Sequence, residues 1–500
     1  MARADAAAVD AGTPVEVLME RAGRAVARAV IEEAGGRYGR HVVIVCGKGS
    51  NGGDGFAAAR VLAREGLHVC CLVVSGAADA RGAARVHLGR FLEEGGRVET
   101  FTAARLSTAD VIVDAVFGTG FRGEVSGPPA DAIEAINAVS RPVVAVDIPS
   151  GVDGFTGAAP GPAVRASATV VMAAQKYGTA LGAGSLLAGR VQVTDIGIEV
   201  GKTSVAMTEA SDVSHVLPRR PPDSHKRTGG AVAVLAGSAG MSGAALLTCR
   251  GAVRMGAGYA TLGSTAAVDT AASVALPEVL SEVVSDTAVL GPDALSRFRA
   301  TLRRADSLAL GPGLGRGFDQ RNLVAHALDR VDIPIVLDAD GLNALEKHTK
   351  PLERRNGATV ITPHPVELSR LLDVATEDIN ANRLGAAQRT AERFRAVVVL
   401  KGWRTVIAGP DGRTVVNPTG GPALATAGTG DVLTGAITAL LAAGVDPFEA
   451  AWAAAYVHGR AGDLAARGVP SGALAWDVAD ALPLALHPRA STDDAPETLR

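Results

Sequence analysis

Five hundred residues exceed one ordinary hydrophobic core and point to two or three domains. With 47% apolar and 20% charged residues the composition is globular, and the 60 glycines fall at the ends of apolar runs without a collagen-like period. A net charge of −3 offers no basic field for nucleic acid, and no strongly apolar run reaches the roughly 18 residues of a membrane span.

MARADAAAVDAG at the start has no cleavable apolar core, so no secretory signal is expected. The next stretch, 13–34, sets Val17, Leu18, Ala22, Ala25, Val26, Ala29 and Val30 at helical spacing. An apolar run at 41–46 then opens onto a loop, GKGSNGGDG, and a second helix, FAAARVLAREG. Runs at 67–74, 111–116, 143–146 and 169–173 alternate with helical stretches such as ADAIEAINAVS. Short, fully apolar strands separated by helices predict an α/β domain with a parallel sheet covered on both faces, where ligands bind beyond the strand C-terminal ends. The polar clusters 50–54, 114–124 and 147–151 fall there. SNGGDG is not the GxGxxG dinucleotide fingerprint, and a plain glycine turn is its bland reading. Lys176, after the last of these runs, reads as a solvated strand terminus or, if it faces Asp147, as a group that moves protons. The four cysteines form no CxxC pair, and three lie in strand-like runs, as buried thiols in a reducing cytoplasm would.

From 201 to 228 periodicity is lost, and LPRRPPDSHKRTGG reads as a linker into a new domain. The expected organisation is a first domain at 1–205, a linker at 206–224, a second α/β domain at 225–490 and a disordered tail at 491–500. In the second domain, strands at 231–236, 308–310, 335–337, 360–361 and 397–400 open onto GSAGMSGAA, GPGLG, DADGLN, TPHPVELSRLL and KGWRT, and 446–466 and 475–485 read as closing helices. The stretch 417–431, NPTGGPALATAGTGD, is the most informative. Its glycines let successive amides converge, and the apolar helix behind it adds a positive end, which makes an anion site suited to phosphate. Asp431 beside a bound anion fits a base or metal-organising role better than a phosphate ligand. The alternative is a tight turn capped by Asp.

MERAGRAVA, CGKGSNGGDGFAAARVLA, DAVFGTGFRGEVSG, VDIPSGVDGFTG and VTDIGIE, in that order, resemble the NAD(P)H-hydrate epimerase (YjeF N-terminal) family. The resemblance implies a Rossmann-like three-layer α/β/α domain. It also implies that a hydrated nicotinamide nucleotide is held by Ser50, Asn51, Gly52, Gly53 and Asp54 and by Gly118, Thr119, Gly120, Phe121, Arg122, Gly123 and Glu124, with Asp147 touching the substrate. Potassium falls to Asn51, Asp114 and Ser150, and Lys176 supports catalysis. Ser50 is a departure, since relatives usually carry Asn there.

HKRTGGAVAVLAGSAGMSGAA, GPGLG, LDADGLN, TPHPVE, LKGWRTVIAGPDG, NPTG, AGTGDVLTG and YVHGRAGDLAA resemble the ribokinase-like ADP- or ATP-dependent NAD(P)H-hydrate dehydratases (the YjeF C-terminal family). By that resemblance Ala244, Gly313, His364 and Asp431 contact substrate. Lys401, Gly402, Trp403, Arg404 and Thr405, with Gly428, Thr429 and Gly430, hold ADP or ATP with Mg2+, and Asp431 is the base. Gly421 and Ala423 depart from the usual NPTGNPGMATGGTGD. The implied whole is a cytoplasmic homo-oligomer that interconverts R and S hydrates of NADH or NADPH and dehydrates the S form. A ribokinase-like kinase fused to a non-catalytic nucleotide-binding module is the rival reading.

Overall fold

The computed structural model describes residues 2–74, 76, 79–201, 203–469 and 471–486. The chain divides into two compact units that meet in sequence between 202 and 203. In the first, β1 (His41–Cys46), β2 (His68–Val73), β3 (Arg97–Thr100), β4 (Val111–Ala115), β5 (Val143–Val146), β6 (Ala168–Met172) and β7 (Arg190–Thr194) form one parallel sheet in the order β3-β2-β1-β4-β5-β6-β7. Alternate residues of β1 feed opposite faces: Val42 and Ile44 pack with Leu18, Val26 and Val30, while Val43 and Val45 pack with Ile133 and Ile136. Helices therefore cover both faces, the three-layer arrangement expected. The edge strands β3 and β7, RVET and RVQVT, carry charges and no apolar run, so periodicity alone does not reveal them.

One local expectation is corrected. The glycines of SNGGDG do not form a loop before the second helix; they lie inside it, because the helix runs Ser50–Arg64. Their small size serves close packing. A Cβ at Gly52 would sit 2.0 Å from the Gly47 carbonyl oxygen, one at Gly53 2.5 Å from the Met19 sulfur, and one at Gly55 2.7 Å from Ala115 Cβ. Gly47 itself abuts the Val116 carbonyl, so the helix start is pressed against the ends of β1 and β4.

The second unit carries β8 (Val205–Met207), β9 (Ala231–Leu235), β10 (Tyr259–Thr265), β11 (Leu280–Ser285), β12 (Ser307–Leu310), β13 (Ile335–Leu337), β14 (Thr359–Ile361), β15 (Val397–Leu400), β16 (Val406–Ala408) and β17 (Thr414–Val416). Their order is β11-β10-β9-β12-β13-β14-β15-β16-β17-β8, parallel except for the antiparallel pairs β15–β16 and β16–β17. The expected linker is also corrected: within 206–224 lie most of β8, parallel to β17 with Val205 opposite Thr414, and the helix Ala210–Val216. The three residues of β8, VAM, are apolar but too few to show a period, which is why the sequence pattern hid them. The tail at 491–500 lies outside the described residues. Among the described residues no helix is long and apolar enough to cross a membrane.

Behind the second sheet, the helices Ser242–Met255 and Thr429–Ala442 pack backbone to backbone. A Cβ at Gly435 would come within 2.0 Å of the Thr248 carbonyl oxygen, and one at Gly251 within 2.3 Å of the Val432 carbonyl oxygen. Gly435→Ala should therefore lower stability by roughly 2–3 kcal/mol, measured by denaturant unfolding of the second unit's transition, despite the higher helix propensity of Ala. An unchanged midpoint would contradict this close contact.

Candidate active sites

In the first unit the strand ends enclose a cavity of about 1040 Å3. Of the residues singled out from the sequence, Ser50, Asn51, Asp54, Gly118, Thr119, Gly120, Phe121, Arg122, Asp147 and Lys176 line it. Gly52 and Gly53 are buried in the helix start, Gly123 makes a left-handed turn (φ 86°), and Glu124 packs over Gly161.

Asp147 follows β5 with φ 66°, a conformation that costs a non-glycine residue energy, and its Oδ1 accepts from the Met172 amide at 3.3 Å. Its amide donates to the Val170 carbonyl, and its Oδ1 lies 2.6 Å from the Lys176 Nζ. Lys176 also donates to the Met172 carbonyl at 2.5 Å. Both side chains are largely withdrawn from solvent, so Lys176 faces Asp147 rather than water. Burial, then the adjacent Asp147 charge, pushes the Asp54 carboxyl well above the usual carboxylate range.

Beneath this pair, Asp114 at the end of β4 accepts from the Ser150 amide (2.8 Å) and hydroxyl (2.6 Å). The Ser150 hydroxyl accepts from the Phe117 amide, and Asn51 donates its Nδ2 to the Phe117 carbonyl. Asn51, Asp114 and Ser150 are thus brought together, and complete burial pushes Asp114 up to about 6. Asp5, on the helix Ala2–Asp10, also lines the cavity. It lies in a stretch that the sequence marked only as lacking a leader.

In the second unit Asp431 is the third residue of Thr429–Ala442, and Gly428 (φ 91°) makes the left-handed turn before it. Lys401, at the end of β15, places its Nζ 2.8 Å from Asp338 Oδ1 and 3.8 Å from Glu367 Oε2. The other oxygen of Asp338 accepts from the Thr434 hydroxyl at 2.7 Å. The Lys401 ammonium also lies beside Gly430, 3.3 Å from where a Cβ would be. Burial first, then the charge of Asp338, push the Asp431 carboxyl up to about 7, with Lys401 pulling the other way.

His364 caps the helix Pro365–Leu372: its Nδ1 accepts from the Val366 and Glu367 amides, and burial lowers its pKa. Ala244 and Gly313 meet, since a Cβ at Gly313 would lie 3.0 Å from Ala244 Cβ. Thr405 donates to the Gly402 carbonyl, Arg404 stacks over the Trp403 ring at 5.1 Å, and the Thr429 hydroxyl closes onto the Leu424 carbonyl. Gly421 and Ala423, the departures in this stretch, fall at a single 3-10 turn, Pro422–Leu424, away from Asp431 in the chain. Asp338, Glu367 and Thr434 were not singled out from the sequence, although LDADGLN, TPHPVE and AGTGDVLTG contain them. A carboxylate directly after a buried strand was the available signal.

Family models match both halves: one described as YjeF-related protein N-terminus over residues 15–178, and one described as NAD(P)H-hydrate dehydratase over 232–484. The chain is 40% identical over 491 residues to the bifunctional NAD(P)H-hydrate repair enzyme Nnr of Moorella thermoacetica, covering 95% of this chain and 93% of that protein. It is 34% identical to the Nnr of Escherichia coli, covering 97% and 92%. A solved ribokinase-like superfamily protein from Enterococcus faecalis aligns with 58% of this chain and 97% of its own, at a TM-score of 0.50 and 24% identity, a likeness of fold. With both halves matched and relatives aligned almost end to end, the chain belongs to the family of bifunctional NAD(P)H-hydrate repair enzymes.

Proposed function

We propose that the first unit interconverts the R and S hydrates of NADH or NADPH in the cavity beside Asp147. We propose further that the second unit dehydrates the S form at Asp431 at the expense of ADP or ATP. The observation that carries the second assignment is a carboxylate raised to about 7 in the first turn of a helix that follows the left-handed Gly428.

Hydration places a hydroxyl on the nicotinamide ring, and water leaves poorly at neutral pH. Asp431 takes the hydroxyl proton as its oxygen attacks the terminal phosphoryl group of the nucleotide. The amides of Gly428, Thr429 and Gly430 meet the charge that develops there, and Lys401 adds a fixed cation. Phosphate then leaves, driven by the ring-nitrogen lone pair, and loss of the neighbouring ring proton restores the dihydronicotinamide. Ala244 and Gly313 line the substrate side and His364 holds its helix start. Lys401, Gly402, Trp403, Arg404 and Thr405 hold the nucleotide.

Among the described residues no three His, Cys, Asp or Glu side chains converge as a self-sufficient metal site. Mg2+ would be held mainly by the nucleotide phosphates, with Asp338, Glu367 and Asp340 the carboxylates whose charge reaches Asp431. Such a cation supplies neutralisation of phosphate charge. In the first unit the Asp114 carboxylate and the Ser150 hydroxyl are hydrogen-bonded to each other and Asn51 joins them through Phe117; these oxygen-bearing side chains around a fully buried carboxylate suit K+, which they would hold. A potassium ion there would supply the positive charge that favours ionised Asp114. In the epimerase cavity Asp147, held by Lys176, accepts or returns the hydroxyl proton of the carbinolamine.

The test is incubation with hydrated NADH and ADP or ATP while the absorbance of the reduced nicotinamide is followed. Asp431→Asn should slow dehydration of the S hydrate by about 10² to 10⁴ and leave epimerisation intact; near-wild-type dehydration would overturn the assignment. Asp147→Ala should leave the R hydrate unconverted with nucleotide in excess, so that consumption of a racemic hydrate stops near half. The dehydration rate should rise with pH through about 7 as Asp431 loses its proton.

The same carboxyl holds its proton more tightly folded (about 7) than unfolded (ordinary value 3.8). Between those pH values the folded chain binds the extra proton, so this group's contribution to stability falls as pH rises and is flat above about 7. Asp431→Asn should therefore gain in melting temperature relative to the wild type as pH rises from about 4 to about 7, read by thermal unfolding without nucleotide.

A further inference from the structure

The helix Arg383–Phe394 begins with a side chain that reaches under the 401–405 loop. Arg383 Nη1 donates to the Trp403 carbonyl at 2.5 Å, and Nη2 donates to the Leu400 and Lys401 carbonyls at 2.9 and 3.0 Å. Gly402 lies between these carbonyls with φ 140°, and a Cβ there would sit 2.9 Å from the guanidinium. The glycine is thus needed both for its backbone conformation and to admit the arginine. Among the described residues Arg383 has no carboxylate partner. Its charge is neutralised only by carbonyl dipoles, and burial alone pulls it down to about 10.

Carbonyl oxygens at a strand end repel an approaching phosphate. Arg383 turns three of them inward at the segment that carries Lys401, and leaves a buried positive charge directly beneath it. An unneutralised guanidinium is costly in an empty site and favourable once an anion lies above it.

We propose that Arg383 is a positioning residue for the nucleotide, which holds the 400–403 backbone in its binding shape and adds charge beneath the phosphates without touching the reacting atoms. This rests on the reading of Lys401 to Thr405 as nucleotide-binding. Arg383 should therefore set nucleotide affinity and leave the chemical step, the hydrate KM and the epimerase unaffected.

The test uses the full chain as wild type, Arg383→Met and Arg383→Lys. ADP and ATP are titrated by calorimetry, and steady-state kinetics are run on the S hydrate. Arg383→Met, which keeps length but loses charge and donors, should raise the nucleotide Kd and KM on the order of 10-fold or more, with kcat and the hydrate KM near wild type. Arg383→Lys keeps the charge but cannot span three carbonyls, and should recover part of the affinity. If Arg383→Met is too unstable to purify, the Lys variant decides alone, with a weaker but measurable rise in Kd. Unchanged Kd and KM with only a lower melting temperature would overturn the proposal, as would equal losses in kcat. A wild type that binds neither nucleotide would overturn the underlying reading first, whereas wild-type binding with an unaffected Met variant overturns this proposal only.

Discussion

The second unit depends on one buried ammonium. Lys401 follows β15, Asp338 follows β13, and Glu367 sits on the helix after β14, so three adjacent parallel strands deliver two carboxylates and a cation to one rim. Burial works against the Lys401 charge, but Asp338 and Glu367 more than offset it and hold the ammonium above its ordinary value. With Asp431 added, the rim carries more negative than positive charge before any ligand binds. Such an excess is tolerable because a carboxyl can keep its proton, and Asp431, pushed up to about 7, is placed to do so. The proton affinity of Asp431 is therefore set first by its own burial and then by its neighbours on the rim, Asp338 foremost.

Much of this was legible in the sequence because parallel strands buried on both faces must be continuous apolar runs. The runs at 41–46, 143–146, 335–337 and 397–400 become β1, β5, β13 and β15 with those bounds. The polar residues that follow them are placed at the rim by topology alone. Edge strands were not legible: β3 and β7 lack the pattern because solvent permits charge there, and β8, at the edge of the other sheet, is apolar but only three residues long. Asp338 and Thr434 escaped for a different reason. Their importance lies in meeting each other and Lys401 across 63 to 96 positions of chain, and spacing along a sequence carries no record of that.

The first unit shows how the same reading can find the right residues for a wrong local reason. SNGGDG looked like a glycine loop, whose function is conformational freedom. The structure makes it a helix whose glycines function by their size: they let the first turn lie against the backbone of β1 and β4, so that Ser50, Asn51 and Asp54 reach the cavity. The strained Asp147 completes that wall. Its φ of 66° is supported by the hydrogen bond its amide donates to the Val170 carbonyl and by the ion pair with Lys176, so position and charge are fixed together.

The short strand β8 has a consequence for how the chain can be divided. It hydrogen-bonds to β17, and β17 runs without interruption into Asn417 and the loop that ends at Asp431. The three residues 205–207 therefore brace one end of the loop that leads to Asp431, although they lie next in sequence to the other unit. Severing the chain anywhere after them would leave β17 as a bare edge, with its outer amides and carbonyls open to water or to another strand. The boundary between the two units falls in sequence just before β8, and a dehydratase released from its fusion partner keeps its full sheet only if the break falls before Val205.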